Sequence, residues 1–137
     1  MPAAKHDPLV LIVDDDPLIR LDLSGTLHDA GYRTAEAANA EEASQSLRDE
    51  KPELIITDVY MRQPAEGLGL IRRVRATDPA IKIIAISGHE FRRYEVLDRA
   101  EQNGADGSLA KPIHRFELLD LVERLLPLDR GVPRIRA

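Results

Sequence analysis

Apolar residues occur along this chain in short unbroken runs, each followed by a segment with helical spacing. The first run, Leu9–Val13, has no polar alternation, which is typical of a strand covered on both faces. Similar runs occur at Leu54–Thr57 and Ile81–Ile86, with weaker ones at Tyr32–Ala37 and residues 106–110. The pattern therefore predicts five strands that alternate with helices.

The segments between and after the strands carry start and stop signals for helices. Asp16 before Pro17 is a good N-cap for the first helix, and Gly31 is placed to end it. Asn39 with Glu42 is typical of a capping box at the start of the second helix. For the last helix, the spacing predicts a buried stripe made of Phe116, Leu119, Val122 and Leu126.

This alternation of strand and helix predicts an α/β fold. Right-handed crossovers place helices on both faces of a parallel sheet, so a doubly wound sheet is expected. With 137 residues, the chain is close to the length of one typical domain.

Composition narrows the classes of function. The absence of cysteine excludes a disulfide scaffold, a thiolate zinc site and a cysteine nucleophile. A net charge of −5 disfavours direct binding of nucleic acid, because phosphate contacts need a basic face. No apolar run approaches the roughly 18 residues that cross a bilayer. The expectation is a cytoplasmic protein with neither a nucleic-acid nor a membrane partner.

The candidate chemistry lies in the polar residues that directly follow the strands. Since the carboxyl ends of parallel strands share one edge of a sheet, this edge is expected to gather Asp14, Asp15, Asp16, Asp58, Ser87 and Lys111. Crowded carboxylates repel each other, and Mg²⁺ suits a site with few carboxylates plus water and phosphate oxygens. A lysine opposite them can neutralise a transferred phosphoryl group. Asp16 is interpreted as the helix cap rather than as a ligand.

These motifs resemble the receiver domains of two-component response regulators. Leu-Ile-Val-Asp14-Asp15-Asp16 is similar to the acidic pocket of that family, and Leu-Ile-Ile-Thr-Asp58 to its phosphoacceptor segment. Ile-Ala-Ile-Ser87-Gly and Ala-Lys111-Pro are similar to its two remaining site segments. The resemblance covers residues 8–126 and implies a flavodoxin-like, five-stranded sheet in the order 2-1-3-4-5, with five helices. Residues 127–137 are left as a C-terminal tail or the start of a linker.

The resemblance implies that Asp58 accepts a phosphoryl group from a sensor histidine kinase or a histidine phosphotransfer protein. Mg²⁺ would be bound by Asp15, Asp58 and the backbone carbonyl of Tyr60, with Asp14 acting through water. The chain would then be a phosphoprotein switch toward a downstream protein partner. It would catalyse only its own phosphorylation and dephosphorylation.

For the other two motif residues, the resemblance implies that Ser87 and Lys111 hold phosphoryl oxygens. It also implies a cis peptide bond between Lys111 and Pro112, which is accessible because the bond precedes proline. No output domain follows in the sequence, which favours a single-domain regulator. A longer regulator cut within its linker is the alternative.

The loop after Asp58 departs from the family pattern. The family usually has Met-Pro soon after the acceptor and a glycine eight residues beyond it. Here Met61 is followed by Arg62, the proline is Pro64, and Gly67 lies nine residues after Asp58. The sequence therefore predicts a one-residue insertion and a different loop shape.

Three further positions are expected to modulate the site. Ser108 stands where many members of the family carry an aromatic switch residue. Tyr60 and His89 lie two residues after Asp58 and Ser87, where they border the phosphoryl group. Their bulk predicts slow hydrolysis of the phosphorylated form.

The alternative class is a Mg²⁺-dependent phosphohydrolase of the haloacid dehalogenase type. Asp14-x-Asp16 after a strand mimics its nucleophile and acid pair, with Asp14 as the nucleophile. This interpretation leaves Asp58 without a central task, and no later acidic pair follows Lys111 to complete a metal site. The receiver interpretation is therefore preferred.

Overall fold

A computed structural model describes residues 7–61, 66–88 and 93–128. Its strands are β1 (Leu9–Val13), β2 (Arg33–Ala37), β3 (Leu54–Asp58), β4 (Lys82–Ser87) and β5 (Gly107–Ala110). Its helices are α1 (Pro17–Asp29), α2 (Ala40–Asp49), α3 (Glu66–Thr77), α4 (Arg93–Gln102) and α5 (Arg115–Leu125). The predicted alternation is confirmed, and the predicted strand ends differ from the observed ones by one residue at most.

The strands form one parallel sheet in the order β2-β1-β3-β4-β5, which confirms the predicted flavodoxin-like topology. In register, Val13 pairs with Thr57, and Asp58 pairs with Ile86. The residues that follow β1, β3, β4 and β5 consequently lie at one edge of the sheet.

Two apolar clusters cover the two faces of the sheet. Every residue of β1 is buried, as its unbroken apolar run predicts. Successive residues of a strand point to opposite faces. The cluster on the side of α2, α3 and α4 therefore includes Leu11, Ile55 and Ile83, and the cluster on the side of α1 and α5 includes Ile12, Ile56 and Ile84.

The predicted buried stripe of α5 is wrong in part. Phe116 is 84% exposed, whereas Leu118 and Val122 are the buried residues of this helix. The helix is apolar at so many positions that its sequence is compatible with more than one stripe. Packing against the sheet selects the one centred on Leu118 and Val122, and Leu121 lies against Gly107 of β5.

The predicted helix starts are observed with one variation. The Asp16 carboxylate accepts a hydrogen bond from the backbone N–H of Leu18, and Asn39 Oδ1 accepts one from that of Glu42. The Glu42 carboxylate accepts from the N–H of Ala38, one residue before the cap, rather than from the cap itself. Each cap therefore satisfies one of the backbone N–H groups that have no partner within the first turn of its helix.

Candidate functional site

Three carboxylates meet at the carboxyl edge of the sheet. One oxygen each from Asp14, Asp15 and Asp58 can be chosen so that all three lie within 4.8 Å of one another. The end of β1 supplies the first two residues, and the end of β3 supplies Asp58. Asp14 is fully buried, Asp58 is 5% exposed, and Asp15 is open to solvent. The cluster is thus closed on one side and accessible on the other.

The ammonium group of Lys111 joins two of these carboxylates. Its Nζ donates hydrogen bonds of 2.9 Å to Oδ2 of Asp14 and to Oδ2 of Asp58. The backbone N–H of Lys111 donates to the carbonyl oxygen of Ser87, and the Lys111–Pro112 peptide bond is cis, as expected. When all four groups are ionised, the three carboxylates and the one ammonium together carry a net charge of −2.

Burial governs the electrostatics of Asp58. It raises the pKa of that carboxyl from its ordinary 3.8 to about 6, and the neighbouring Asp14 charge adds to the rise. The hydrogen bonds and charge of Lys111, and the N–H of Tyr60, act in the opposite direction without cancelling it. For Lys111, burial works to lower the pKa, but the bonds to Asp14 and Asp58 outweigh burial and raise it. The lysine therefore stays charged at neutral pH.

The chain returns to the site at Gly67. A Cβ at this position would overlap the carbonyl oxygen of Asp58 and would lie 2.7 Å from Cα of Val59. The N–H of Gly67 donates to the carbonyl of Val59 at 3.0 Å. Helix α3 therefore begins directly against the end of β3, which only glycine allows at this distance. Residues 62–65, which belong to the loop with the predicted one-residue insertion, lie outside the described residues.

Of the remaining predicted site residues, Ser87, Tyr60 and Ser108 belong to the described residues. Ser87 is buried at the end of β4, and Tyr60 is half-buried with its N–H donating to Oδ1 of Asp58 at 3.2 Å. Ser108 lies apart from the cluster of Asp14, Asp15 and Asp58. Its hydroxyl donates to the Glu101 carboxylate of α4 at 2.8 Å. His89 lies outside the described residues.

Two contacts in the site were not predicted from the sequence. A Cβ at Gly88 would come within 2.9 Å of Cδ of Lys111, so this glycine leaves room for the stem of the lysine. The guanidinium of Arg20 donates to the backbone carbonyl of Asp14 at 2.7 Å. The only sequence signal for the contact of Gly88 is its position next to Ser87. The only signal for the contact of Arg20 is the presence of a cationic residue in the first turn of α1.

The donor set of this cluster fits Mg²⁺. The ion prefers oxygen ligands, takes one or two carboxylates in sites of this kind and keeps several waters. The carboxylates of Asp14, Asp15 and Asp58 supply such oxygens, and the exposure of Asp15 gives water and a phosphoryl group access.

A doubly wound parallel sheet with a carboxylate cluster after β1 and β3, bridged by a lysine after β5, defines a receiver domain. Comparison with known families agrees, since the model of the response regulator receiver domain matches residues 10–123. The chain belongs to this family. Receiver domains are switches rather than classical enzymes, typically bind Mg²⁺ at an acidic pocket, and interact with histidine kinases and downstream targets.

Individual relatives support the assignment. The transcriptional regulatory protein PhoP of Escherichia coli K12 is 32% identical over 125 residues, which cover 90% of this chain and 54% of PhoP. The chain thus spans about half the length of the curated relatives that it matches. The receiver domain of NtrX from Brucella abortus is 30% identical with a TM-score of 0.80, covering 85% of this chain and 97% of that one. A response regulator receiver protein from Pseudomonas putida is 37% identical with a TM-score of 0.77, covering 87% and 98%.

These findings favour phosphorelay signalling over the haloacid-dehalogenase interpretation. In residues 7–61, 66–88 and 93–128, no helix combines the length and the apolar character needed to cross a membrane.

Proposed function

We propose that Asp58 is the phosphoacceptor of this receiver and takes its phosphoryl group from a sensor histidine kinase or a histidine phosphotransfer protein. The observation that carries the proposal is the position of the Asp58 carboxylate, which accepts a hydrogen bond from the Lys111 ammonium and has an oxygen within 4.8 Å of oxygens of Asp14 and Asp15. The unit that carries this function spans residues 8–126, and residues 127–137 are a tail or the start of a linker. The phosphorylated form acts on a downstream protein partner.

The chemistry follows from these neighbours. A carboxylate oxygen of Asp58 attacks phosphorus while the bond from phosphorus to the donor histidine nitrogen breaks, and that nitrogen keeps the bonding pair. Lys111 then moves its contact from Oδ2 of Asp58 to a phosphoryl oxygen, and the Ser87 hydroxyl binds another. Asp15, Asp58 and the backbone carbonyl of Tyr60 would hold Mg²⁺, with Asp14 acting through water, and the ion would supply positive charge for the phosphoryl oxygens.

Incubation with Mg²⁺ and acetyl phosphate tests this assignment. The wild-type chain is expected to gain one labile phosphoryl group by intact mass, and Asp58→Asn to gain none, because an amide oxygen is a poor nucleophile. Asp16→Asn is the matched control: it removes a neighbouring carboxylate but keeps a helix cap, so it should be phosphorylated normally.

Two results would contradict the proposal. One is a phosphoryl group retained by Asp58→Asn. The other is turnover of a phosphate ester that is abolished by Asp14→Asn but not by Asp58→Asn, which would favour the phosphohydrolase.

Hydrolysis of the phosphorylated form is expected to be slow because Tyr60, two residues after Asp58, is expected to border the approach of water to the phosphoryl group. Tyr60→Asn should shorten the half-life of the phosphorylated form about fivefold, which corresponds to roughly 1 kcal/mol of barrier. Tyr60→Phe keeps the ring and should leave the half-life unchanged. Decay of the mass label after removal of the donor measures both variants. Equal half-lives in wild type, Tyr60→Asn and His89→Glu would remove the steric explanation.

A further inference from the structure

Arg20 and Glu36 form a pair beside the carboxylate cluster that the proposed chemistry does not use. Arg20 lies in the first turn of α1, and its Nη1 donates to the backbone carbonyl oxygen of Asp14 at 2.7 Å. Its Nε donates to Oε1 of Glu36 at 3.2 Å. Glu36 is on the edge strand β2, and the side chains are 18% and 40% exposed, respectively. One guanidinium thus connects the edge of the sheet to the acidic loop.

The carbonyl that Arg20 binds belongs to the peptide unit between Asp14 and Asp15. Fixing its direction limits rotation on either side of that peptide, and so limits where the Asp15 side chain points. On the other side of Asp14, its N–H donates to the carbonyl of Ala37, and its Oδ1 accepts from the N–H of Asp16 at 2.9 Å. Asp14 is therefore held at its N–H, its side chain and its carbonyl.

Asp15 has less support of its own. It is exposed, and among the residues that the structure describes no group hydrogen-bonds its carboxylate. Its direction consequently depends on the backbone that Arg20 fixes. Groups that orient metal ligands in this way contribute to metal affinity without touching the ion.

We infer that Arg20, held in place by Glu36, is a positioning residue for Mg²⁺ binding, acting through the Asp14–Asp15 peptide. The inference rests on the proposed function in that it takes Asp15 as a ligand of the ion. Arginine suits this task because its planar fork can donate from two nitrogens in different directions, which lysine cannot.

The charge of Arg20 taken alone has the opposite effect. A cation beside a metal site weakens binding of the metal, so loss of the charge would tighten it. Arg20→Lys separates the two effects because it keeps the charge and removes the fork. Positioning predicts weaker binding in this variant, whereas a pure charge effect predicts no change in Arg20→Lys and tighter binding in Arg20→Gln.

Calorimetric titration of the full chain with Mg²⁺ measures the effect. Arg20→Lys is expected to raise the dissociation constant roughly tenfold, and Glu36→Ala roughly threefold. The double variant Arg20→Lys/Glu36→Ala should bind no more weakly than Arg20→Lys, because Glu36 acts through Arg20. Glu36→Ala also keeps the test open if Arg20→Lys does not fold.

Amide hydrogen exchange in metal-free protein gives a second readout. The N–H of Asp16, which donates to Oδ1 of Asp14, should exchange several-fold faster in Arg20→Lys, since the loop loses a constraint. Arg33→Lys is the matched control: Arg33 is also on β2, and its Nε donates to the backbone carbonyl of Asp7 at 2.9 Å, at the other end of the strand. This control should leave Mg²⁺ affinity and the exchange of the Asp16 N–H unchanged.

The two proposals fail in different ways. If the wild-type chain binds no Mg²⁺, the proposed site and this inference are both overturned. If wild type and Arg20→Lys bind Mg²⁺ with the same affinity and show the same exchange at Asp16, only the positioning role of Arg20 is overturned.

Discussion

Gly67→Ala is expected to destabilise the fold by about 3 kcal/mol, because the new methyl group has no space at the end of β3. Its Cβ would overlap the carbonyl oxygen of Asp58 and lie 2.7 Å from Cα of Val59. Both are backbone atoms, so the clash cannot be relieved by turning a side chain. Relief requires α3 or the end of β3 to move, and the second of these carries Asp58.

Gly69 provides a matched control for this substitution. It lies two residues further along α3, and a Cβ there would meet nothing within 4 Å. Gly69→Ala should therefore stabilise the fold by about 0.5–1 kcal/mol, since alanine loses less backbone entropy in a helix. Urea unfolding of the two variants measures both changes. Equal stability of Gly67→Ala and wild type would show that α3 can move away from β3 at little cost.

Gly67 shows which features of the loop after β3 could be predicted from the sequence and which could not. Its displacement by one residue from the family pattern is visible in the sequence, and the direct contact of Gly67 with the end of β3 is not. A contact of this kind depends on the angle at which α3 meets the sheet. Phe116 gives a similar lesson in α5: local periodicity allows several stripes, and the sheet beneath the helix decides which one is buried.

Much of the neighbourhood at the site is predictable because it depends on topology. Unbroken apolar runs identify the strands, and the parallel arrangement places the residues after them at one edge. By this argument Asp14, Asp58 and Lys111 are expected to meet, and the structure brings them together. The link between Arg20 and Glu36 is different, because it joins a helix to an edge strand through one rotamer that no spacing along the chain encodes.

Asp58→Asn is expected to stabilise the metal-free protein at neutral pH, although it removes the phosphoacceptor. Burial is the main cause that raises the pKa of Asp58 from 3.8 to about 6, so the folded protein holds this proton more tightly than the unfolded chain. Stability therefore falls as pH rises between about 4 and 6, and above this window the ionised carboxylate costs on the order of 2 kcal/mol. Asparagine removes that charge and keeps an oxygen that can accept the N–H of Tyr60.

Unfolding in EDTA at several pH values checks this result. The free energy of unfolding of Asp58→Asn should exceed that of wild type by about 2 kcal/mol at pH 7.5. The difference should shrink as pH falls through about 6 and vanish below about pH 3, where Asp58 is protonated in folded and unfolded chains alike. The raised pKa of Lys111 does not alter this window, because its contribution is lost only at alkaline pH. Asp16→Asn is the control and should show no such trend.

Addition of Mg²⁺ should reverse the order of stability. The variant Asp58→Asn lacks one of the three carboxylates of the cluster and should bind the ion more weakly. Saturation with Mg²⁺ therefore stabilises the folded wild-type chain more than the variant.

If Asp58→Asn is less stable than wild type in EDTA at pH 7.5, the ion pair with Lys111 outweighs the burial of the carboxylate. In that case the charge on Asp58 stabilises the metal-free fold, and the lysine rather than the metal is its main compensation.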